Sequence, residues 1–363
     1  MSDLSSAIVH LTMRFNEQTL STGSGVFYKR AGQYYVVTAW HNVSGRHTDS
    51  MECLDQKNNA VPNNILVSFK YHIFGQVTVR NIRLPLYDDT KALYHIHPDN
   101  WPRVDVVAIP FDVNGLHTSV GYSGYEKMEF EYSLFDEEDN LTIHAIQQYL
   151  VDDVLAKRWM NSANVTDEVF IPGYPHNITD QFYNPVWKRA TIATNPAFQW
   201  QNARKFLIDS ASSSGMSGAS VFYYNNAGDV SILGHHINVG RIAAIHAGIY
   251  VGRVGVTEKA DPQVGIVWHA SVIDEIIDGK VFDFHPDEIE MARKDIEAVI
   301  REHLKTANAK GIENILNENT PSRHYVHSQI MKDIKGRAKP GELMQLILDV
   351  TAAYDGPLVE DKG

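Results

Sequence analysis

Short apolar runs separated by turn residues dominate the first 280 positions of the chain. Near the N-terminus, "IVHLTMRF", "GVFYKR" and "QYYVVTAW" are rich in Val, Ile, Tyr and Phe, which favour strands, and "GSG" and "RAGQ" punctuate them as turns. "VDVVAIPF" is almost continuously apolar, as expected of a buried strand, and the pattern returns in "EVFIPGYP", "KFLIDSA" and "RIAAIHAGIY". Many short strands with regular turns predict a sandwich or barrel. We place two β halves at about 1–120 and 166–282, joined by a connection over about 121–165.

The hydrophobic period changes from strand to helix after about residue 283. Apolar residues recur there at helical spacing, and Pro286 lies near the start of the stretch. A second helical pattern covers residues 341–354. We therefore predict a mainly β region over 1–282, followed by an α-helical C-terminal extension over 283–363. The apolar helical stripe consists of Ile289, Ile296, Val299, Ile300 and Leu304.

Composition narrows the class of protein and of partner. Of the 363 residues, 44% are hydrophobic and 21% are charged, which is usual for a globular protein. The formal net charge of -12 argues against a nucleic-acid partner, since phosphate binding needs a basic surface. The single cysteine, Cys53, excludes an intrachain disulfide and fits a reducing compartment. Because the chain shows neither a run of 18 apolar residues nor a signal-peptide pattern, we expect a cytoplasmic protein without membrane association.

Three stretches supply His, Asp and Ser in an order that suits nucleophilic catalysis. "VVTAWHNV" puts His41 at the end of a buried strand, "VDVVAIPF" puts Asp105 at the start of another, and "SSSGMSGAS" puts Ser217 between glycines. A serine hydroxyl needs a general base, and that base needs a carboxylate to fix its tautomer. Gly215 lets the backbone turn so that N–H groups can face a developing oxyanion, and each such donor is worth about 3–4 kcal/mol. The three stretches together predict an acyl-transfer site.

The same stretches resemble the signatures of chymotrypsin-fold, trypsin-like serine peptidases over about residues 8–280. "TGSGVFYKRAGQYYVVTAWHNV" resembles their first-barrel strand with Thr-Ala-x-His, "DVVAIPF" their Asp strand, and "FLIDSASSSGMSGASVF" their nucleophile loop. "VFIPGYP" is similar to the strand that opens the second barrel in disulfide-free bacterial members. The resemblance implies two six-stranded antiparallel β-barrels and a serine endopeptidase acting on protein or peptide substrates, with no cofactor.

The resemblance also assigns a role to each candidate residue. His41 is the general base, Asp105 orients it, and Ser217 attacks the substrate carbonyl. The backbone N–H groups of Gly215 and Ser217 form the oxyanion hole. Met216 stands where zymogen-activated digestive enzymes carry an Asp that receives a new N-terminus, so we expect no activation by N-terminal cleavage.

The spacing of the triad and the sequence around Ser217 admit alternatives. The His–Asp interval, 105 − 41 = 64 residues, is longer than usual for the family and indicates an insertion around 46–100. Several other carboxylates lie nearby, although only Asp105 directly precedes a strand pattern. The nucleophile elbow of α/β-hydrolases is rejected, because it needs a final glycine where this chain has Ala219 and the order Ser, Asp, His. The competing carboxylates are Asp88, Asp89, Asp99 and Asp112.

The residues expected around a specificity pocket differ from those of trypsin. Ala211 stands where trypsin-type enzymes carry the Asp that binds Arg or Lys, so the resemblance argues against trypsin-type specificity. Ser212, with His246 and Gly248 in an Ile-His-x-Gly sequence, resembles the pocket of glutamyl endopeptidases and picornaviral-type cysteine peptidases, which accept Glu or Gln. A hydroxyl and an imidazole can both hydrogen-bond a carboxylate or carboxamide. The competing interpretation of His246 is a structural histidine on a buried strand.

Other interpretations of the chain remain open. "YHIHPD" and "LGHH" contain histidine pairs that could bind zinc, but no further ligands follow at matching spacing, so we expect no metal site. The C-terminal helices either pack on the second barrel or bind a dedicated partner protein. The alternative to a peptidase is a catalytically silent double-barrel module that binds a partner, as a sensor or scaffold.

Overall fold

The chain forms two compact units in the computed structural model, whose described residues are 4–73, 76–99, 101–123, 126–135, 138, 140–210, 213–255, 263–317, 320–357 and 359. The first unit contains Met1–Ser44, Ala60–Pro98 and Asp105–Asp283. The second contains Gly45–Asn59, Asp99–Val104 and Phe284–Gly363. The predicted boundary falls between residues 282 and 283. The chain leaves the first unit for the last time after Asp283. The two short internal segments of the second unit have no counterpart in the predicted division.

The first unit is mainly β. Six of its strands close into an antiparallel barrel with the order β10-β11-β12-β17-β16-β13. In chain order, the strands are β1 (Ile8–Phe15), β2 (Gln18–Arg30), β3 (Gln33–Thr38), β4 (Asn64–Ile73), β5 (Gln76–Pro85), β6 (His95–Ile96), β7 (Val107–Phe111), β8 (Leu116–Ser123), β9 (Glu126–Ser133), β10 (Glu168–Gly173), β11 (Val186–Ile192), β12 (Lys205–Asp209), β13 (Ser220–Asn225), β14 (Asp229–Ile232), β15 (His235–Asn238), β16 (Ala243–Arg253), β17 (Val264–His269) and β18 (Val281–Phe282).

The N-terminal strands form an eight-stranded sheet with the order β18-β6-β7-β3-β2-β1-β4-β5. The mainly β fold with a closed six-stranded barrel confirms the predicted fold class. The N-terminal sheet has eight strands where six were predicted: it contains β1–β7, and β18, from the end of the unit, pairs with β6 through Val281 and Ile96. Two separate hairpins, β8–β9 and β14–β15, complete the β structure of the described residues.

Three α-helices of the described residues belong to the first unit: α1 (Trp40–Ser44), α2 (Asp153–Ser162) and α3 (Ser271–Gly279). The side chain of Asp152 caps α2 by accepting a hydrogen bond from Leu155 N at 2.9 Å. Leu155 and Trp159 of this helix are buried in the apolar cluster of the barrel. Helix α2 therefore packs its apolar face on the barrel core, as its spacing requires.

The second unit is helical. Its core is formed by apolar side chains from all four helices. On the predicted stripe, Ile296, Ile300 and Leu304 are buried on α4, whereas Ile289 precedes the helix. Among the described residues, no helix of either unit is long and apolar enough to cross a membrane. The helices are α4 (Arg293–Leu304), α5 (Ala309–Leu316), α6 (Pro321–Asp333) and α7 (Pro340–Ala352), the last of which covers most of the second predicted helix.

Candidate active site

His41 lies on α1, directly after strand β3. The preceding residue, Trp40, is fully buried, and its indole Nε1 donates a hydrogen bond to Asp283 Oδ2 at 2.7 Å. Ala39 and Val43 are also buried. These neighbours fix the start of the helix, so the backbone that carries His41 has little freedom to move.

Asp105 contacts His41 at two points. One carboxylate oxygen, Oδ1, accepts the backbone N–H of His41 at 2.9 Å, and Oδ2 lies 2.8 Å from the ring atom Nδ1. Because a carboxylate only accepts hydrogen bonds, Nδ1 carries the proton and Nε2 keeps its lone pair. The His41 ring is therefore held in the tautomer that a general base requires.

The charge state of His41 reflects two opposing effects. Burial lowers the pKa of His41, and the charge and hydrogen bond of Asp105 raise it. The effect of Asp105 prevails, so the pKa of His41 lies above its ordinary value of 6.5. A base with a pKa near or above neutrality can both take and return a proton at physiological pH.

Two glycines shape the loop that carries Ser217. Gly215 has φ +90° and Gly218 has φ +85°, a left-handed region that favours glycine. A Cβ on Gly215 would lie 2.4 Å from Tyr174 O, and one on Gly218 would lie 2.1 Å from Thr38 Oγ1. Both positions therefore exclude any side chain, by conformation and by space.

Met216 anchors the same loop in the barrel. Its side chain is fully buried in the apolar cluster of the barrel, and its sulfur lies so close to Gly173 that a Cβ there would approach it to 2.9 Å. An apolar side chain at this position can stabilise the loop by packing, as a charged side chain could not without a partner.

From Gly215 to Ala219, two of the five N–H groups have no acceptor among the described residues. Met216, Gly218 and Ala219 donate to Ser213 O, Tyr250 O and Met216 O. Within the described part of the chain, the N–H groups of Gly215 and Ser217 have no hydrogen-bond acceptor. Unpaired backbone donors are rare, and a pair beside a serine is the arrangement that stabilises an oxyanion.

The Ser217 hydroxyl points to the end of strand β16. Its Oγ donates a hydrogen bond to Val251 O at 3.4 Å. In the described residues no hydrogen bond joins this hydroxyl to His41. The main chain of Ser217 is nevertheless held beside α1, because Asn42, the residue after His41, donates from Nδ2 to Ser217 O at 3.0 Å.

Of the four residues predicted for a specificity pocket, the structure describes His246 and Gly248. Ala211 and Ser212 lie outside the described residues. His246 is buried on β16, opposite Phe222 of β13. The centroids of the two rings are 5.2 Å apart, and Phe222 follows Ser217 by five residues. Burial lowers the pKa of His246 to about 4, so its ring is neutral at pH 7. Gly248 lies where β16 and β17 approach closely, and a Cβ there would be 2.0 Å from Trp268 O.

Of the histidines considered as zinc ligands, His97 contacts an ion pair, and His235 and His236 face solvent. His97 Nε2 lies 2.8 Å from Glu275 Oε2 and 3.1 Å from an Arg204 guanidinium nitrogen, and Arg204 also pairs with Glu275. His235 and His236 are exposed on strand β15. Among the described residues, no group of three or more His, Cys, Asp or Glu side chains could hold a metal ion.

Sequence reasoning missed the polar residues that hold the nucleophile loop from behind. Ser24 and Asn42 both donate to Ser217 O, and Thr38 donates to Ser24 O. Asn42 stands next to His41 in the sequence, which could have drawn attention to it. Ser24 has no such signal, since it lies 193 positions (217 − 24) before Ser217.

Comparisons with known proteins give structural similarity only. Neither a family model nor a curated protein matches the chain. A serine endoprotease from Yersinia pestis is 14% identical with a TM-score of 0.38, over 76% of this chain and 62% of that one. Protease Anisep from Arthrobacter nicotinovorans is 11% identical with a TM-score of 0.36, over 73% and 90%. The Grass clip serine protease of Drosophila is 12% identical with a TM-score of 0.38, over 76% and 69%. This chain thus spans less than two thirds of the Yersinia protein. TM-scores this low carry no conclusion about function.

Proposed function

We propose that this chain is a serine endopeptidase that hydrolyses peptide bonds through an acyl-enzyme on Ser217. The observation that carries the proposal is the two-point contact between Asp105 and His41, which leaves Nε2 available to accept a proton. The N–H groups of Gly215 and Ser217, which lack an acceptor in the described residues, supply donors for the oxyanion. These are the base and the electrostatic stabiliser that acyl transfer needs.

The proposed reaction has two steps. In acylation, Ser217 Oγ bonds to the substrate carbonyl carbon while its proton passes to His41 Nε2. The carbonyl oxygen becomes negative and accepts hydrogen bonds from Gly215 and Ser217. The imidazolium then gives its proton to the leaving amine as the C–N bond breaks. In deacylation, water gives a proton to His41 and attacks the ester carbon, and Oγ regains its proton as the acyl group leaves.

A second candidate is a catalytically silent module whose fold binds a partner protein. The hydrogen bond from Ser217 Oγ to Val251 O favours it, because the hydroxyl is turned to a main-chain carbonyl and not to His41. Under the peptidase proposal, a rotation about the Cα–Cβ bond brings the hydroxyl to His41 when substrate binds. Such rotations of a part-exposed side chain are fast and cost little.

Labelling with a fluorophosphonate probe decides between the two candidates. The peptidase proposal expects a covalent adduct on Ser217 that disappears in Ser217→Ala and persists in Ser220→Ala. Ser220 is a suitable control because its hydroxyl is fully buried and has no partner in the described residues. If the wild-type protein stays unlabelled from about pH 6 to 9, across the range in which a histidine loses its proton, the silent module is supported.

We further propose a specificity that is not of the trypsin type, because Ala211 has no charge to pair with Arg or Lys. A preference for Glu or Gln remains part of the proposal and rests on Ser212 and His246. A neutral His246 would suit Gln better than an ionised Glu, since a neutral imidazole adds no charge pairing. Profiling with a peptide library tests this, and the preference should weaken in His246→Ala. An unchanged profile would assign His246 to the fold alone.

We also propose a compartment and partners for this protein. The single cysteine and the net charge of -12 support a cytoplasmic protein that acts on protein or peptide substrates and not on nucleic acid. The helical second unit is proposed to bind a dedicated partner protein. Identification of cleavage sites in a cell lysate, with Ser217→Ala as the control, tests the substrate class directly.

A further inference from the structure

From Gly215 to Ala219, the main chain around Ser217 is hydrogen-bonded peptide by peptide, and two of its N–H groups have no acceptor among the described residues. In the peptide between Ser214 and Gly215, the carbonyl accepts His176 N at 2.8 Å and the N–H lacks an acceptor in the described residues. In the peptide between Met216 and Ser217, the carbonyl accepts Ala219 N at 2.9 Å and the N–H again lacks one. These two N–H groups are the proposed oxyanion donors.

The other two peptides of the loop are held at both ends. The carbonyl of Gly215 accepts Ser24 Oγ at 2.8 Å, and the N–H of the same peptide donates to Ser213 O at 3.2 Å. The carbonyl of Ser217 accepts Ser24 N at 2.9 Å and Asn42 Nδ2 at 3.0 Å, and the N–H of that peptide donates to Tyr250 O. Ser24 is thus bonded to both of these peptides, one through its side chain and one through its main chain.

Ser24 is itself held without freedom to rotate. Its hydroxyl is fully buried and accepts Tyr174 N at 3.0 Å while it donates to Gly215 O. Its carbonyl accepts Thr38 Oγ1 at 2.8 Å, and Thr38 Oγ1 accepts Asn42 Nδ2 at 3.0 Å. Both hydrogen-bonding functions of the Ser24 hydroxyl are therefore used, so its position defines the position of the Gly215 carbonyl.

Asn42 completes the arrangement from the side of the general base. Its amide nitrogen donates to both Thr38 Oγ1 and Ser217 O. Gly23 leaves the space for this amide, because a Cβ at that position would lie 2.7 Å from Asn42 Nδ2 and 3.1 Å from Ser217 O. Asn42 therefore ties the nucleophile main chain to the helix that carries His41.

From these contacts we infer that Ser24 and Asn42 are positioning residues of the candidate active site. They hold the Gly215 and Ser217 carbonyls so that the N–H groups of those two residues stay aimed at the reacting oxygen. This inference rests on the proposed peptidase function. Both side chains are buried behind the loop, so we expect their removal to lower the rate of bond formation and to leave probe binding nearly unchanged.

Reaction with a fluorophosphonate probe measures this effect, because the phosphonyl oxygen occupies the proposed oxyanion site. In Ser24→Ala we expect the maximal rate of inactivation to fall roughly 10- to 100-fold, less than or comparable to loss of one oxyanion donor. The half-saturating probe concentration should change by less than about twofold. Asn42→Asp has nearly the same shape but loses the donations to both Thr38 Oγ1 and Ser217 O and places a carboxylate there, so a fall of at least about 10-fold is expected.

Three controls separate positioning from a general loss of structure. Ser220→Ala removes a buried hydroxyl from the same loop without removing a hydrogen bond in the described residues, and should react like the wild type. The pH dependence of the rate should be unchanged in Ser24→Ala, because the contact between His41 and Asp105 is untouched. If Ser24→Ala melts at lower temperature but reacts at the wild-type rate, its role is structural only and the inference is overturned.

Hydrogen exchange gives a readout that does not depend on activity. In Ser24→Ala, the amide of Met216 should exchange faster than in Ser220→Ala, because its peptide loses the hydrogen bond from the Ser24 hydroxyl to Gly215 O. The amide of Gly218 should change less, because Ser24 N and Asn42 Nδ2 still bond Ser217 O. Unchanged exchange at Met216 would overturn the inference even if the wild-type protein proved unreactive. Absence of labelling in the wild type, with faster exchange in Ser24→Ala, would refute the peptidase and keep the positioning role.

Discussion

Asp105 holds both the main chain and the ring of His41 with one carboxylate. Its two oxygens accept the backbone N–H at 2.9 Å and bond Nδ1 at 2.8 Å, so neither the position nor the orientation of the imidazole is left to solvent. Such a contact fixes a tautomer at low entropic cost, because both partners are already ordered by the strand and helix that carry them.

Replacement of Asp105 by Asn should remove activity while keeping the shape of the side chain. The amide can donate to Nδ1, which would move the ring proton to Nε2, and we expect a fall of roughly 10³- to 10⁴-fold in rate. Reaction with a fluorophosphonate measures it. Asp112→Asn is the matched control, since Asp112 is exposed and its side chain accepts a hydrogen bond from Asn114 N in its own turn. If Asp112→Asn lost activity and Asp105→Asn did not, the assignment of the carboxylate would be refuted.

The rate should depend on pH through His41. Burial lowers the pKa of His41 and Asp105 raises it by more, so the acid limb of the profile should have its midpoint above 6.5. The neutral imidazole is the active form, so the rate rises with pH through this midpoint. Conversely, the pairing with Asp105 stabilises the fold fully below 6.5, and this stabilisation is lost as the pH rises through the folded pKa.

Asp105→Asn should shift the pH dependence of the rate. In Asp105→Asn the cause that raises the pKa of His41 is removed and burial remains, so the acid limb of any residual activity should move to lower pH. A limb that stays in place would mean that another group controls the profile.

His246 should make the first unit less stable in acid. Its pKa falls from 6.5 to about 4 on burial, so the unfolded chain binds a proton that the folded chain does not. This contribution is intact above 6.5 and is lost as the pH falls, by about 2 kcal/mol between pH 7.5 and 5. His246→Phe, which keeps a ring against Phe222, should lose this part of the pH dependence. Urea unfolding at the two pH values checks it, and equal slopes in both proteins would contradict it.

Gly218 should be intolerant of alanine for reasons of space as well as conformation. A Cβ there would lie 2.1 Å from Thr38 Oγ1 and 2.2 Å from Ser24 O, in addition to the strain of φ +85°. Gly234 has a similar φ of +79° but nothing within 4 Å of a built Cβ, so Gly234→Ala isolates the strain. We expect about 1 kcal/mol for Gly234→Ala and at least about 3 kcal/mol for Gly218→Ala. Denaturant unfolding measures the free energy of unfolding lost in each variant. Equal losses would mean that the loop moves aside to accommodate the Cβ at position 218.

The sequence was sufficient to predict candidate residues that lie in short, distinctive stretches. A strand end followed by His41, a strand start at Asp105 and a serine between two glycines are local signals, and the structure brings the first two into contact. The anchoring of the loop was not predictable, because the bond from Ser24 to Gly215 joins residues 191 positions apart. A single side-chain contact at that range leaves no periodic trace in the sequence.

The surroundings of His246 were hidden for a different reason. Strand β16 is buried on both faces from Ala243 to Val251, so its sequence lacks the alternation that assigns a residue to one side of a sheet. A register shift between Val221 and Phe222 further changes which residue faces His246. The extra segments of the helical unit were likewise unseen, since Gly45–Asn59 carries no helical pattern of its own.

The β unit cannot be isolated by cutting the chain at one place, because two segments of the helical unit lie within its sequence range. Ending the chain at Asp283 would remove the helices but retain Gly45–Asn59 and Asp99–Val104, which belong to the helical unit. Arg46 would lose Glu290, and Trp101 would lose the apolar cluster against which it packs. One of these segments starts four residues after His41, and the other ends at the residue before Asp105. A simple deletion therefore leaves both segments next to His41 and Asp105 without the helices they pack with, and a β fragment needs short linkers in place of both segments.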